Sequence, residues 1–407
     1  MKDALHAFRR KVRERSEPGA VVVGLNPTGL GLVRSLGRRG TPVLAVVSDL
    51  RNACVGTRYC EKVYCPDIEG PELIDTLRAI GAAVDAAPVL LLSRDLCVSR
   101  VSEQREALEG YYKFLLPGKE TVAMLLNKRL FGAYAMENGF PVPATFCAGD
   151  EAGLRRVATQ VTYPCILKPV FRNSRWEASS VPKAFTAESG DELVNLYRRI
   201  APLQNEVLVQ EWIPGPDSEI YFCLLSFNAA GKPLVHFEGR KLFQWMPACG
   251  NTAVAENTVC DVVRDVSVRL FEAVGFKGMG SVEFKRDPRD GRFKITEPTV
   301  GRPNLQSDLA VACGVNIPCI VYDNLVGVPR SGGEAPVRSV KWIYEEHLFD
   351  LILHRKTYHL GLRAILQALR GKRFYALLAR DDPWPFLRFV ANVARRVIRH
   401  LWIRKAA

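Results

Sequence analysis

Apolar residues in this chain come in short runs that end in glycine, proline or charge. The stretch AVVVGLNPTGLGLVRSLGRRGTPVLAVVSD, after Pro18-Gly19, holds an apolar run, a glycine-rich turn, a helical repeat and a second apolar run. That order predicts one β–α–β unit. PVLLLSRD (Pro88–Asp95) reads as another buried strand ending in polar residues. Strand ends of this kind carry ligands in open α/β sheets. Residues 18–120 are predicted to form a small Rossmann-like, doubly wound domain with a parallel sheet.

The pattern changes from Thr121. NKRLFGAYAMENGFPVPATF predicts a helix stopped by Gly139, with extended chain at Pro141 and Pro143. YPCILKPVF and NEVLVQEWIPG read as strands. EIYFCLLSFNAAGKPLVHFEGRKLFQ predicts a hairpin turning near Gly231-Lys232, and GSVEFKRDPRDGRFKITEP a second one turning at Asp290-Gly291. SGGEAPVRS (331–339) is a linker, and helical, strongly basic segments follow it over 340–407. The chain is thus α/β, and α+β in part.

Composition narrows the class. The chain has 407 residues and 48% hydrophobic residues, enough for two or three domains with real cores. Its apolar runs are too short to span a bilayer, and the charged start MKDALHAFRRKVRERS lacks the apolar region of a signal peptide. The 11 cysteines form no C-x-x-C pair, which fits reduced thiols in a cytoplasmic protein. Residues 351–407 hold 13 Lys/Arg against 2 Asp, while 18–350 hold 37 basic and 38 acidic residues. A neutral body with basic ends argues against a nucleic-acid enzyme and for a tail that meets something anionic.

The candidate chemistry lies in four stretches. With a three-residue loop in the second hairpin, Glu283 and Glu297 face each other across the strands. Like charges so opposed are destabilising, and a divalent cation between them reverses the sign. Two solvent-facing acids are the plain alternative. Lys168 ends the apolar run CIL and either snorkels or reaches for an anion. After it, FRNSRWEASSVPK offers Arg172, Ser174, Arg175, Ser179 and Ser180 to phosphates, or is an ordinary polar loop. In LVQEWIPGPDSE, a strand end beside apolar groups suits an adenine and a following acid suits ribose hydroxyls, or the stretch is a simple strand-to-turn junction. GLNPTGLG is a weak dinucleotide signal, because Asn26 stands where the second glycine of G-x-G-x-x-G is needed and Asp49 is the only acid near the second strand's end. An NAD-linked oxidoreductase rests on that stretch alone.

In this order and spacing the pieces resemble the ATP-grasp superfamily, and most of all its carboxylate–amine ligase branch, which includes D-aspartate ligase-like proteins. The residues that carry the likeness are Lys128, Lys168, Gln210-Glu211 with Glu219, Arg240-Lys241, Glu283 and Glu297. The resemblance implies a two-lobed ATP-grasp module of antiparallel sheets over 121–330, with 18–120 before it and the basic helical tail after it. It implies that Lys128 and Lys168 bind ATP phosphates, that Gln210, Glu211, Trp212 and Ile213 hold adenine, and that Glu219 holds the ribose. Glu283, Glu297 and Thr299 would bind Mg²⁺ or Mn²⁺. Arg240 and Lys241 would face the transferred phosphoryl group, and Arg302 the phosphate or a substrate carboxylate. Gly24, Asn26, Ser93 and Asp95 would line the substrate side. Two features depart from the pattern: Thr299 replaces an asparagine in Glu-x-Asn, and the loop 171–182 has no glycine.

The implied reaction is ADP-forming ligation of small-molecule carboxylate and amine substrates through an acylphosphate. It needs positioning and charge neutralisation more than a general base. The chain has only 6 histidines, none in a nucleophilic or metal motif. The two departures leave a second expectation, a catalytically weakened ATP-binding sensor or scaffold at a membrane surface. In the tail, apolar residues at 386, 390, 393, 397 and 401 keep helical spacing, with Arg388, Arg395 and Arg399 opposite and Trp384 and Trp402 near the ends. Such a helix suits peripheral contact with an anionic membrane at its inner face, or packs on the body with its basic face in water. A homodimer is the default assembly.

Overall fold

The computed structural model describes residues 2–15, 17–170, 176, 179, 181, 184–247, 250–328 and 339–406, with backbone alone for 397–406. Arg172, Ser174, Arg175 and Ser180 of the candidate phosphate loop, linker residues 331–338, and the side chains of Arg399 and Trp402 lie outside the described residues.

Strands β1 (Ala20–Val23), β2 (Val43–Val47), β3 (Glu61–Tyr64) and β4 (Val89–Leu92) pair in parallel in the order β3-β2-β1-β4. Their runs are almost wholly apolar because both faces of the sheet are covered: Val21 and Val23 enter one core, Ala20 and Val22 the other. β5 (Thr145–Ala148), β6 (Cys165–Pro169), β7 (Phe185–Ala187) and β8 (Val207–Glu211) make a small antiparallel sheet, ordered β5-β8-β6-β7, over its own core around Leu154, Leu167, Leu193 and Val209.

The large sheet contains β9 (Ile220–Phe227), β10 (Pro233–Trp245), β11 (Asn251–Asn257), β12 (Gly278–Arg286), β13 (Phe293–Val300), β14 (Val340–Ile343) and β15 (Lys372–Tyr375). Its order is β13-β12-β9-β10-β11-β14-β15, antiparallel except for the last pair. Both expected hairpins are present. Asn228 shapes the first turn by accepting from the amides of Ala230 and Lys232, each at 2.9 Å. The second has a longer loop than expected, residues 287–292 rather than three. Glu283 nevertheless stands opposite Glu297, because a register shift lies between the Glu283–Glu297 and Phe284–Ile295 pairs. Thr296 is the extra residue, and this β-bulge supplies the offset that the loop does not.

The C-terminal region differs from a purely helical tail. Besides helices Glu345–Leu353, Leu362–Ala368 and Trp384–Ala406, it gives the large sheet two strands. Val340, Trp342 and Ile343 are buried there, which favours an extended segment paired with β11. The region is also tied to the first sheet's helix Pro27–Arg38. Arg34 reaches Asp382 at 2.9 Å and the carbonyls of Ala376, Leu377 and Asp382, all buried.

The last helix corrects the expected stripe. Phe386 and Phe389 pack against the body's core, and Arg388 donates to the Leu50 carbonyl at 2.7 Å instead of facing away. Among the described residues of this helix, Trp384, Leu387 and Val390 are the large apolar side chains left exposed. The stripe shifts because the Ala53–Gly56 turn sits so close that a Cβ on Gly56 would lie 2.7 Å from Arg388.

Candidate active site

A cleft of about 360 Å³ opens beside the edge strand β13, between the small sheet and the helices Asp95–Glu103 and Lys128–Glu137. Six of the expected residues line it: Asp95, Lys128, Lys168, Gln210, Glu297 and Arg302. Asn127 caps the helix Lys128–Glu137, accepting from the amides of Arg129 and Leu130. Lys128 therefore stands at the positive end of that helix, where a cation is unfavourable unless an anion offsets it. Glu297 does so at 3.2 Å. Lys168 leaves β6 and donates to Gln210 Oε1 at 2.8 Å, while Gln210 donates to Thr145 at 2.7 Å.

Burial in the cleft wall, reinforced by Lys128, pulls the Lys168 ammonium down to about 8. The cleft also takes Glu297 partly out of bulk water, which opposes its charge. Lys128, Arg302 and Lys168 outweigh that and hold its carboxyl below the usual carboxylate range. Arg302 grips Asp95 with two bonds, 2.6 and 2.7 Å, joining the end of the large sheet to the first domain's helix. The cleft thus gathers three cations, Lys128, Lys168 and Arg302, and two carboxylates, Asp95 and Glu297.

Glu283, opposite Glu297, is held by Lys241 Nζ at 2.7 Å. Thr299 is buried two positions beyond Glu297, opposite Ser281. The Ser281 hydroxyl is buried with no hydrogen-bond partner among the described residues. Lys241 and Arg240 part company here. Strand alternation sends Lys241 to the Glu283 face and Arg240 to the other, where it bonds Glu256 at 2.6 Å. Glu256 also holds Lys341.

The strand end Gln210–Ile213 is more crowded than its sequence suggests. Ile213 is buried, and Glu211 is bound by Lys294 at 2.9 Å and by Arg289. Burial opposes charge on Glu211, but those two cations hold its carboxyl low. Trp212 has the Lys285 ammonium over its ring at 4.8 Å. Lys285 is itself buried, which depresses its pKa against the pull of Asp217, Asp287 and Glu219. Glu219 lies in the short turn Asp217–Glu219, 3.9 Å from Arg286.

The first domain's turn is accounted for by packing. Asn26 accepts from Gly29 N at 2.9 Å and so caps the helix Pro27–Arg38. A Cβ on Gly29 would lie 2.0 Å from the Gly24 carbonyl, and Gly24 itself has φ +83°. The Ser93 hydroxyl sits 2.9 Å from the Val23 carbonyl, turned inward. Gly24, Asn26 and Ser93 are thus brought to the strand ends, while Asp95 alone of that group lines the cleft.

Four residues escaped the sequence reading: Asp217, Gln244, Lys285 and Lys294. Lys285 stands directly opposite Lys294, but the register that opposes Glu283 to Glu297 would set Lys285 against Ile295, so the bulge hides this pair from the sequence.

No family model matches the chain. Among curated proteins it is similar to D-alanine–D-alanine ligase B of Pseudomonas putida, 28% identical over 167 residues, 39% of this chain and 49% of that protein. It is similar over a longer span to D-aspartate ligase of Enterococcus faecium, 23% identical over 333 residues, 77% of this chain and 78% of that one. The chain spans about half the length of several D-alanine–D-alanine ligases it matches. Among solved structures, an ADP complex of N5-carboxyaminoimidazole ribonucleotide synthetase superposes with a TM-score of 0.62 at 14% identity, over 84% of this chain and 86% of that one. Biotin carboxylase from Campylobacter jejuni also superposes at 0.62 and 14% identity, over 77% and 72%. The chain has the ATP-grasp fold, and among the curated proteins it is similar to are the carboxylate–amine ligases that act as D-alanine and D-aspartate ligases.

Proposed function

We propose that this protein is an ATP-dependent, ADP-forming ligase that joins a small-molecule carboxylate to an amine. The observation that carries this reading is the convergence of Lys128, Lys168, Arg302 and Glu297 in one cleft beside two antiparallel sheets. The similarity to D-alanine and D-aspartate ligases supports it.

Lys128 and Lys168 bind the ATP phosphates, and the strand end Gln210–Ile213 with Glu219 receives the nucleoside. The donors near the phosphates fit Mg²⁺ or Mn²⁺: two opposed carboxylates, Glu283 and Glu297, with the Thr299 hydroxyl. Each carboxylate already holds an ammonium group, so the pair carries a neutralising cation even without metal. Bound metal supplies further neutralisation of phosphate charge. Lys241 and Arg302 steady the transferred phosphoryl group, and Arg240 acts by fixing Glu256. A substrate carboxylate oxygen attacks the γ-phosphorus, the bond to ADP breaks, and an acylphosphate forms. The amine nitrogen then attacks the acyl carbon and phosphate leaves. Gly24, Asn26, Ser93 and Asp95 bound the substrate side.

We infer a three-part organisation, 18–120, 121–330 and 340–407, and a homodimeric protein of the cytoplasm. Among the described residues no helix is long and apolar enough to cross a membrane. The exposed Trp384, Leu387 and Val390, beside a C-terminal segment rich in arginine, support peripheral contact with an anionic surface.

The test is ADP release by the purified chain with a panel of carboxylates and amines. Release that depends on both substrates and on Mg²⁺ supports the ligase. Tight Mg-ATP binding with no ADP release across the panel favours the weakened sensor instead.

A further inference from the structure

A chain of polar side chains runs along the Glu283 face of the large sheet. Asp217 accepts from Gln244 twice, from the backbone amide at 2.8 Å and from Nε2 at 3.0 Å. Gln244 Oε1 accepts from Lys241 Nζ at 2.9 Å. Lys241 Nζ lies 2.7 Å from Glu283 Oε2. Gln244 and Lys241 are only 3% and 5% exposed, so these bonds form away from bulk water.

Two features say that this chain is built to aim Lys241. Lys241 and Gln244 are three residues apart, and in a regular strand they would point to opposite faces. The β10–β11 pairing shifts register on both sides of Phe243, and this irregularity brings them to one face. Asp217 also fixes the amide orientation. Because Nε2 faces a carboxylate, Oε1 must face the ammonium; a flipped amide would oppose donor to donor and acceptor to acceptor.

The result is an ammonium with two unlike partners, one neutral and one charged. A divalent cation on Glu283 removes the charged one. A buried ammonium without a partner is costly, and the neutral one stays. Resting on the nucleotide reading above, we propose that Asp217 and Gln244 are positioning residues that keep Lys241 aimed at phosphate when Glu283 is taken up by a divalent cation. Without Gln244, Lys241 stays on Glu283 and competes with the cation.

The experiment is calorimetric ATP binding to the full chain at stepped Mg²⁺ concentrations, with thermal melts as a check on folding. Gln244→Met is expected to raise the Mg²⁺ concentration for half-maximal ATP binding about five-fold, the worth of one hydrogen bond. Asp217→Asn shifts it in the same direction, and the double variant shifts it no further than Gln244→Met. Adding Lys241→Met to Gln244→Met removes the competitor and returns the half-saturation toward its original value, which a merely structural role would not do. An unchanged Mg²⁺ half-saturation in Gln244→Met, or additive shifts in the double variant, overturns this inference and leaves the ligase reading standing. If the unaltered chain binds no nucleotide at any Mg²⁺ concentration, the ligase reading falls and this inference with it.

Discussion

Lys168 and Lys128 share a cleft but not an environment. Lys128 is half exposed and paired with Glu297, whereas Lys168 is set into the wall and its ammonium is drawn down to about 8. The sign follows from the burial. Below that pH the charged form weighs against the folded state, and the weight lifts as pH rises through 8. Phosphate in the cleft reverses this by favouring the charged form. At pH 8.5 ATP binding should therefore take up about three-quarters of a proton. Calorimetry in two buffers of different ionisation enthalpy reads that number. Lys168→Met should abolish the uptake, and equal uptake in the variant would remove Lys168 from the phosphate site. Glu297→Gln should leave the melting midpoint within a few degrees, since Glu297 is a cleft residue that carries no core packing. It should also cut ADP release by at least about a hundred-fold. Full activity in that variant sinks the metal assignment.

Between residues and fold stand the strands, and two irregular strands made part of this site hard to read. The run FKITEP announced a buried strand with an acid near its end, so Glu297 was legible. The bulge at Thr296 was not, because a bulge depends on what the partner strand offers rather than on local composition. The same holds for Phe243, whose register shifts bring Gln244 beside Lys241. The like-charge opposition of Lys285 and Lys294 was hidden with the bulge, because the register that pairs the glutamates would set Lys285 against Ile295. Arg240 was misleading because adjacent residues on a strand face opposite ways, and sequence does not say which faces the cleft. Deleting Thr296 tests the bulge directly. The strand would regain plain alternation with Glu297 still opposite Glu283, because the deleted residue is the one without a partner, and Mg²⁺ should go on strengthening ATP binding. Loss of Mg²⁺ dependence in that deletion would mean that the bulge sets more than the opposition of the two carboxylates.

The whole molecule is closed by its C-terminal region. Two cores cross from the parallel sheet into the large one, and β14 and β15 widen the latter. A chain ending near residue 335 would lose both strands and strip Arg34 of its acceptors, so it is a poor probe of the last helix. A chain ending at residue 383 keeps them and is expected to fold but lose binding to anionic liposomes. Undiminished binding would assign the basic surface elsewhere. Asp382→Ala should cost about 3–5 kcal/mol in urea unfolding, because it leaves a buried guanidinium uncompensated. The bond between Arg34 and Asp382 also bears on the order of events during synthesis. Its partners are 348 positions apart in the chain. At ribosomal speeds the carboxylate is made roughly 17–70 s after the guanidinium. Through that interval the first β–α–β unit has no means of burying Arg34 with its native partner, so its final closure waits for nearly the whole chain to emerge.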